Sequence, residues 1–222
     1  MRTIAYVDGY NLYYGCVKHT PYKWLDLVAL VGQILRIQDP SSTLELVKYF
    51  TAPIRTKLAT QGDAAGHAQA AYHRALEARG RVEVHNGWYS LEPSTALRYE
   101  QDAPPRKADR VPVWRLEEKE TDVSLALHMY SDALHNRCEQ VILVTSDTDL
   151  RLALSLLKRD APHIRRGLIY PRSEGAPRPS NAALAENADW IRREIKTAEL
   201  ASSQLPERVP TRKRPIIKPV YW

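Results

Sequence analysis

At 222 residues, 44% hydrophobic and 26% charged, the chain can bury one full core, alone or with a tail. Its net charge of +6 and pI near 9.3 suit a polyanionic partner, although charge of this size also serves simple solubility. Two distant cysteines, Cys16 and Cys138, exclude a disulfide framework and match no zinc or redox spacing. No apolar run nears the roughly 18 residues of a bilayer span, and no signal peptide precedes the first strand, so the expected setting is cytosolic and free of membrane.

Strand and helix signals alternate along the whole chain, which predicts an α/β fold with a mainly parallel sheet between helices. The first strand is expected at about Thr3–Val7, breaking at Asp8 and Gly9. A helix follows at about Leu25–Ile37, where Leu25, Val28, Ala29 and Leu35 recur near helical period. The second strand is Leu44–Thr51, closing near Pro53. The alanine-rich stretch Asp63–Arg79 predicts a helix stopped by Gly80, and Val82–His85 a third strand. Residues 88–112 carry Pro93, Pro104 and Pro105 without clear periodicity; they are expected as an irregular insertion or hairpin beside the site. Val111–Glu118 adds an extended piece on its far side.

Thr121 suits an N-cap for a helix over Asp122–Leu134. Val141–Thr145 is the next core strand, followed by a helix over Leu150–Lys158, a last strand at Gly167–Tyr170 and a closing helix from about Asn181 to Ile195. The expected division is a domain over 1–200 and a basic, proline-rich tail over 201–222.

Acids recur where strands should end. Asp8 follows the first strand; Asp147 and Asp149 follow the Val141 strand, and Asp122 opens the helix after the charged run Glu117–Glu120. The carboxyl ends of parallel strands form the ligand crevice of an open α/β sheet. Converging carboxylates repel unless a cation neutralises them, and hard divalent ions take oxygen ligands. The residues alone therefore point to a metal-dependent phosphodiesterase. Each has a blander reading: Asp8-Gly9 as a turn, Ser146–Asp149 and Asp122 as helix-capping chemistry, and the Glu118 and Glu120 charges as a solvated face. Asn11 is placed to order the site and Lys119 to balance the acids or touch phosphate. Arg55 and Lys57, just past the second strand, could grip phosphates. Tyr13, Tyr14, Tyr22, Trp24 and Trp88 could stack bases or pack the core. Most of the seven histidines read as ordinary surface or core residues.

Asp8-Gly9-Tyr10-Asn11, Glu118-Lys119-Glu120-Thr121-Asp122, and Thr145-Ser146-Asp147-Thr148-Asp149-Leu150 resemble the successive motifs of NYN domains, in the LabA-like branch of the PIN-like nucleases. Thr20–Leu27 and a closing segment with Ser180, Leu184, Asp189 and Trp190 extend the resemblance over almost the whole chain. It implies a Rossmann-like, PIN-like three-layer sandwich and a ribonuclease hydrolysing RNA phosphodiester bonds. Asp8, Asp122 and Asp147 would hold Mg²⁺ or Mn²⁺, Asp149 would be a further ligand or an acid behind them, and Asn11 would order the site. The metal would activate a water for in-line attack on single-stranded or structured RNA. Two positions depart from the pattern, with Glu120 where glycine is common and Ser124 where asparagine is common. A noncatalytic module binding nucleic acid or protein on the same fold is the rival, and a flap-type DNA nuclease ranks third. The tail, with Arg212, Lys213 and Arg214, could bind RNA through charge, or its Trp222 could dock on the domain, on a second copy in a homodimer, or on another protein.

Overall fold

A computed structural model of the chain describes residues 1–176 and 182–222. Its first strand, β1 (Arg2–Asp8), is buried from Thr3 onward, with Ala5 and Val7 turned into one core and Ile4 and Tyr6 into the other. Period-2 alternation of apolar residues into two cores is what a central strand covered on both faces requires. A one-turn helix, α1 (Gly9–Leu12), continues directly into a π-helical turn at Tyr13–Val17.

Helix α2 (Leu27–Gln38) begins where the Asp26 carboxylate accepts the Ala29 amide. Next come β2 (Thr43–Thr51) and α3 (Asp63–Arg79), the latter ending at Gly80 with φ +76°, in the left-handed region that favours glycine. They lead to β3 (Val82–Asn86). Residues 88–119 form a hairpin, β4 (Trp88–Leu97) and β5 (Arg110–Lys119), paired along its full length from Trp88–Lys119 to Leu97–Arg110. Then come α4 (Thr121–Leu134), β6 (Gln140–Val144), α5 (Arg151–Asp160), β7 (Arg165–Ile169), α6 (Ala182–Ala185), β8 (Trp190–Arg192), α7 (Thr197–Ser202), β9 (Arg208–Val209) and β10 (Ile216–Ile217).

The central sheet has the order β3-β2-β1-β6-β7-β8, and every adjacent pair is parallel. Helices α2 and α3 pack on one face and α4 and α5 on the other, giving the expected three-layer α/β architecture. The chain winds outward from β1 to β3, then returns to β6 and winds the other way. Between β1 and β6 the crossovers diverge, so a crevice opens at the carboxyl ends of these two strands.

Two expectations change. The closing helix expected from Asn181 begins outside the described residues, and the described chain resumes as the short α6 and then β8, which extends the sheet past the strand expected to be last. Trp190 settles this locally: it pairs with Gly167 and its Nε1 donates to Gln140 Oε1 at 2.8 Å, an edge-strand gain that outweighs helical propensity. The segment from Ala201, expected as an extended tail, instead packs back on the domain. Leu205 and Val209 are buried, Trp24 Nε1 donates to Pro206 O at 2.9 Å, and β9 pairs antiparallel with β10. Trp222 packs 5.2 Å from Tyr72 and 6.3 Å from Trp24, ring to ring. Among the described residues no helix is long and apolar enough to cross a membrane.

Candidate functional site

The crevice is built from the end of β1 outward. Gly9 follows Asp8 because a Cβ there would lie 2.7 Å from the carbonyl oxygen of Phe50; only glycine lets α1 start so close to β2. Asp8 is 2% exposed. Its carboxylate accepts the Asn11 amide at 2.9 Å, Asn11 Nδ2 at 2.6 Å and Thr145 Oγ1 at 2.8 Å. Asn11 also reaches across the switch point, its Oδ1 accepting the Ser146 amide at 3.2 Å. Thr145 Oγ1 in turn accepts the Asp147 amide at 3.0 Å. A single hydrogen-bonded net therefore ties the ends of β1 and β6 together.

Asp122 enters from the first turn of α4. The residue before that helix, Glu120, holds φ +73°, strained backbone for any residue but glycine. It is the position where the resemblance called for glycine. The Asp122 carboxyl is pushed up to about 6, first by desolvation in the crevice and then by the charges of Asp8, Asp147, Glu118 and Asp149. Burial likewise raises Asp8, against the lowering effect of its bonds to Asn11 and Thr145.

The structure thus gathers Asp8, Asn11, Lys119, Asp122 and Asp147 around one cavity of about 520 Å³. Asp149 does not line it; it is exposed, and its amide donates to Asp147 Oδ1 at 2.9 Å. Lys119 is paired with Glu117. Lys57 is exposed and lines neither this cavity nor its neighbour. Arg55 lines the neighbouring cavity and donates to the carbonyl of Tyr89.

That neighbour, about 600 Å³, is aromatic where the crevice is acidic. The two share Tyr10, Tyr14, Tyr89, Leu116 and Glu118. Tyr10 and Tyr14 lie 4.4 Å apart, ring to ring, and Lys18 sits 4.6 Å above the Tyr14 ring, a cation–π distance. Glu118 bridges the compartments, accepting Tyr89 Oη at 3.0 Å and Thr121 Oγ1 at 2.6 Å. Sequence reasoning set Glu118 aside as a solvated charge and passed over Tyr10, Tyr89 and Thr145. Its signal was position: Glu118 stands two residues before the turn into α4, facing the same crevice.

Comparison with known proteins shows what the chain is related to. The chain is 38% identical over 244 aligned positions to 6-hydroxy-3-succinoylpyridine 3-monooxygenase HspA of Pseudomonas putida (strain DSM 28022 / S16), a match spanning all of this chain and 75% of that protein. The chain belongs to this family. No family model matches it. A solved protein of unknown function from Vibrio parahaemolyticus RIMD 2210633 shares the fold, with TM-score 0.53 and 17% identity over 88% of this chain and 93% of that one.

Membership of a monooxygenase family overturns the nuclease expectation, and with it the hydrolase chemistry and the Mg²⁺ or Mn²⁺ assigned to Asp8, Asp122, Asp147 and Asp149. The relative's name denotes an oxidoreductase. Among the described residues no group of three or more His, Cys, Asp or Glu side chains is arranged to hold a metal ion. In the structure the Asp8 carboxylate is engaged by three protein donors, and Asp147 Oδ1 by the Asp149 amide.

Proposed function

We propose that the protein is an oxidoreductase of the monooxygenase type, acting on a hydroxylated pyridine-like ring at the β1–β6 crevice. The observation that carries this reading is the 38% identity with the Pseudomonas putida monooxygenase along the whole of this chain. Supporting it, an acidic compartment and an aromatic one of ligand size meet at the strand ends.

Monooxygenation inserts one atom of dioxygen and reduces the other to water, consuming two electrons and two protons. The electrons come from a reductant of the nicotinamide or flavin class. The crevice itself does not fit the pyrophosphate of such a dinucleotide. Phosphates bind where free backbone N–H groups and positive dipole face them, whereas here Asp8 already accepts the Asn11 amide at the start of α1, with Asp122 and Asp147 beside it.

The chain's own contribution is proton handling and positioning. With its carboxyl raised to about 6, Asp122 exchanges a proton near neutral pH, as a general acid–base must. Asp8, Asn11 and Thr145 hold the two strand ends in register and fix the Asp147 loop. The test is dioxygen uptake by the purified protein with 6-hydroxy-3-succinoylpyridine and NADH or reduced flavin. Substrate-dependent uptake that falls at least about 100-fold in Asp122→Asn, the scale of a lost acid–base group, supports the reading. Uptake independent of the ring compound, or undiminished in the variant, refutes it.

A further inference from the structure

The two compartments differ in what they attract. Around the crevice stand Asp8, Asp122, Asp147 and Glu118 with Lys119 as its cation, and Lys119 is paired to Glu117. The neighbouring cavity is walled by the rings of Tyr10, Tyr14, Tyr49, Tyr72 and Trp222 and carries Lys18, Lys23 and Arg55 against one acidic side chain, Glu118. Among the described residues these three cations have no carboxylate partner within salt-bridge distance. His73 also lines this cavity, packed 5.9 Å from Tyr49 and 6.3 Å from Tyr72, ring to ring. Its Nε2 is buried and has no hydrogen-bond partner. Buried polar atoms are almost always bonded, so an orphan in a cavity wall points to a missing occupant.

We propose that this aromatic cavity is the substrate site for a heteroaromatic ring bearing a short carboxylate side chain. The ring lies among the tyrosines, the carboxylate faces Lys23 and Arg55, and His73 Nε2 bonds a polar group of the ring compound. The assignment rests on the monooxygenase reading and deepens it, because it divides the labour. The aromatic cavity binds and orients the anion, and the acid crevice, which would repel that carboxylate, handles protons at the end presented to it through Tyr10 and Tyr14. His73 is a positioning residue in this scheme. Burial pushes its imidazole down to about 4, so at neutral pH it is an uncharged donor or acceptor.

The test is calorimetric binding, without reductant, of 6-hydroxy-3-succinoylpyridine and of 2-hydroxypyridine, which lacks the side chain. The wild type should bind the acid-bearing ring at least about tenfold more tightly. Lys23→Ala and Arg55→Gln together should erase that preference while sparing 2-hydroxypyridine. His73→Phe keeps the ring packing; it should weaken both ligands about fivefold, one ordinary hydrogen bond, yet raise the melting temperature by removing an unsatisfied nitrogen. Asp122→Asn should leave affinity within about twofold. Affinity untouched by Lys23, Arg55 and His73 substitutions, or lost in Asp122→Asn, overturns the assignment, as does absence of binding. The expected binding pattern with no dioxygen uptake would uphold this site and reject the monooxygenase reading. Ring-dependent uptake with Kd and KM unchanged in both the Lys23→Ala/Arg55→Gln double variant and His73→Phe would do the reverse.

Discussion

Two aspartates ten residues apart on α4 carry opposite perturbations. Asp132 is 1% exposed, and burial by itself would raise its pKa. Yet Lys48 Nζ lies 2.5 Å from its Oδ2, Tyr6 Oη donates to the same oxygen at 2.8 Å and Arg137 Nη1 to the other at 2.9 Å. Those partners outweigh desolvation, and its carboxyl is held below the usual range. Asp122, far more accessible, has no cation within salt-bridge distance among the described residues and faces other acids, and it rises to about 6. Desolvation pushes both carboxyls up; hydrogen-bonding and charged partners reverse it in Asp132, whereas in Asp122 it is the first cause and the neighbouring acids add to it. The paired acid locks α4 to β1 and β2; the unpaired one is left free to exchange protons, as sites require.

The largest effect should come from breaking the locked pair. Lys48→Met leaves Asp132 charged and buried with one partner fewer, and should cost about 3 kcal/mol in urea unfolding. A loss under 1 kcal/mol would mean that Arg137 and Tyr6 suffice. Gly9→Ala drives a Cβ against the Phe50 carbonyl, and backbone cannot give as a side chain can. We expect about 2 kcal/mol of destabilisation and disturbed amide signals at Asn11 and Ser146. Glu120→Gly relieves the left-handed backbone before α4 and should gain about 1 kcal/mol. No gain would show that Glu120 compensates its strain through contacts of its own.

The smallest effect separates the two aspartates by sign. A carboxyl raised in the fold favours the native state while protonated, so the Asp122 contribution is full below its ordinary pKa near 3.8 and is lost as pH rises through about 6. Asp122→Asn should therefore raise the melting temperature slightly at pH 8 and leave it unchanged at pH 4. Asp132, lowered in the fold, contributes above its ordinary pKa and fades as acid protonates it. Asp132→Asn should thus lose most at pH 8 and least in acid. Parallel pH profiles for the two variants would remove the contrast.

Much of the scaffold was legible because it obeys local rules. Asp63–Arg79 carries alanine-rich helical sequence and a glycine stop, and β1 and β6 are apolar runs ending in short polar residues. Asp8, Asp122 and Asp147 meet at the crevice because parallel strands and their crossovers bring all carboxyl ends to one side. The aromatic cavity was not legible, since its walls come from the α1 turn, β2, α3, β4 and the chain end, and no spacing in the sequence relates Tyr14 to His73 or Trp222. Trp190 gave no local sign of an edge strand, because its partners Gly167 and Gln140 lie 23 and 50 residues away. The reaction was misread for a different reason. Acids at strand ends specify where chemistry occurs, and one arrangement can serve hydrolysis or oxygenation.

The most direct test is the origin of the oxygen. The purified protein, with 6-hydroxy-3-succinoylpyridine and NADH or reduced flavin, is incubated under ¹⁸O₂ in ordinary water, and the product is weighed by mass spectrometry beside that of Asp122→Asn. One ¹⁸O atom per product molecule, formed at a rate that collapses in the variant, is the expected result. Product carrying only oxygen from water, or labelled product formed equally fast without the Asp122 carboxylate, would contradict a monooxygenase working at this crevice.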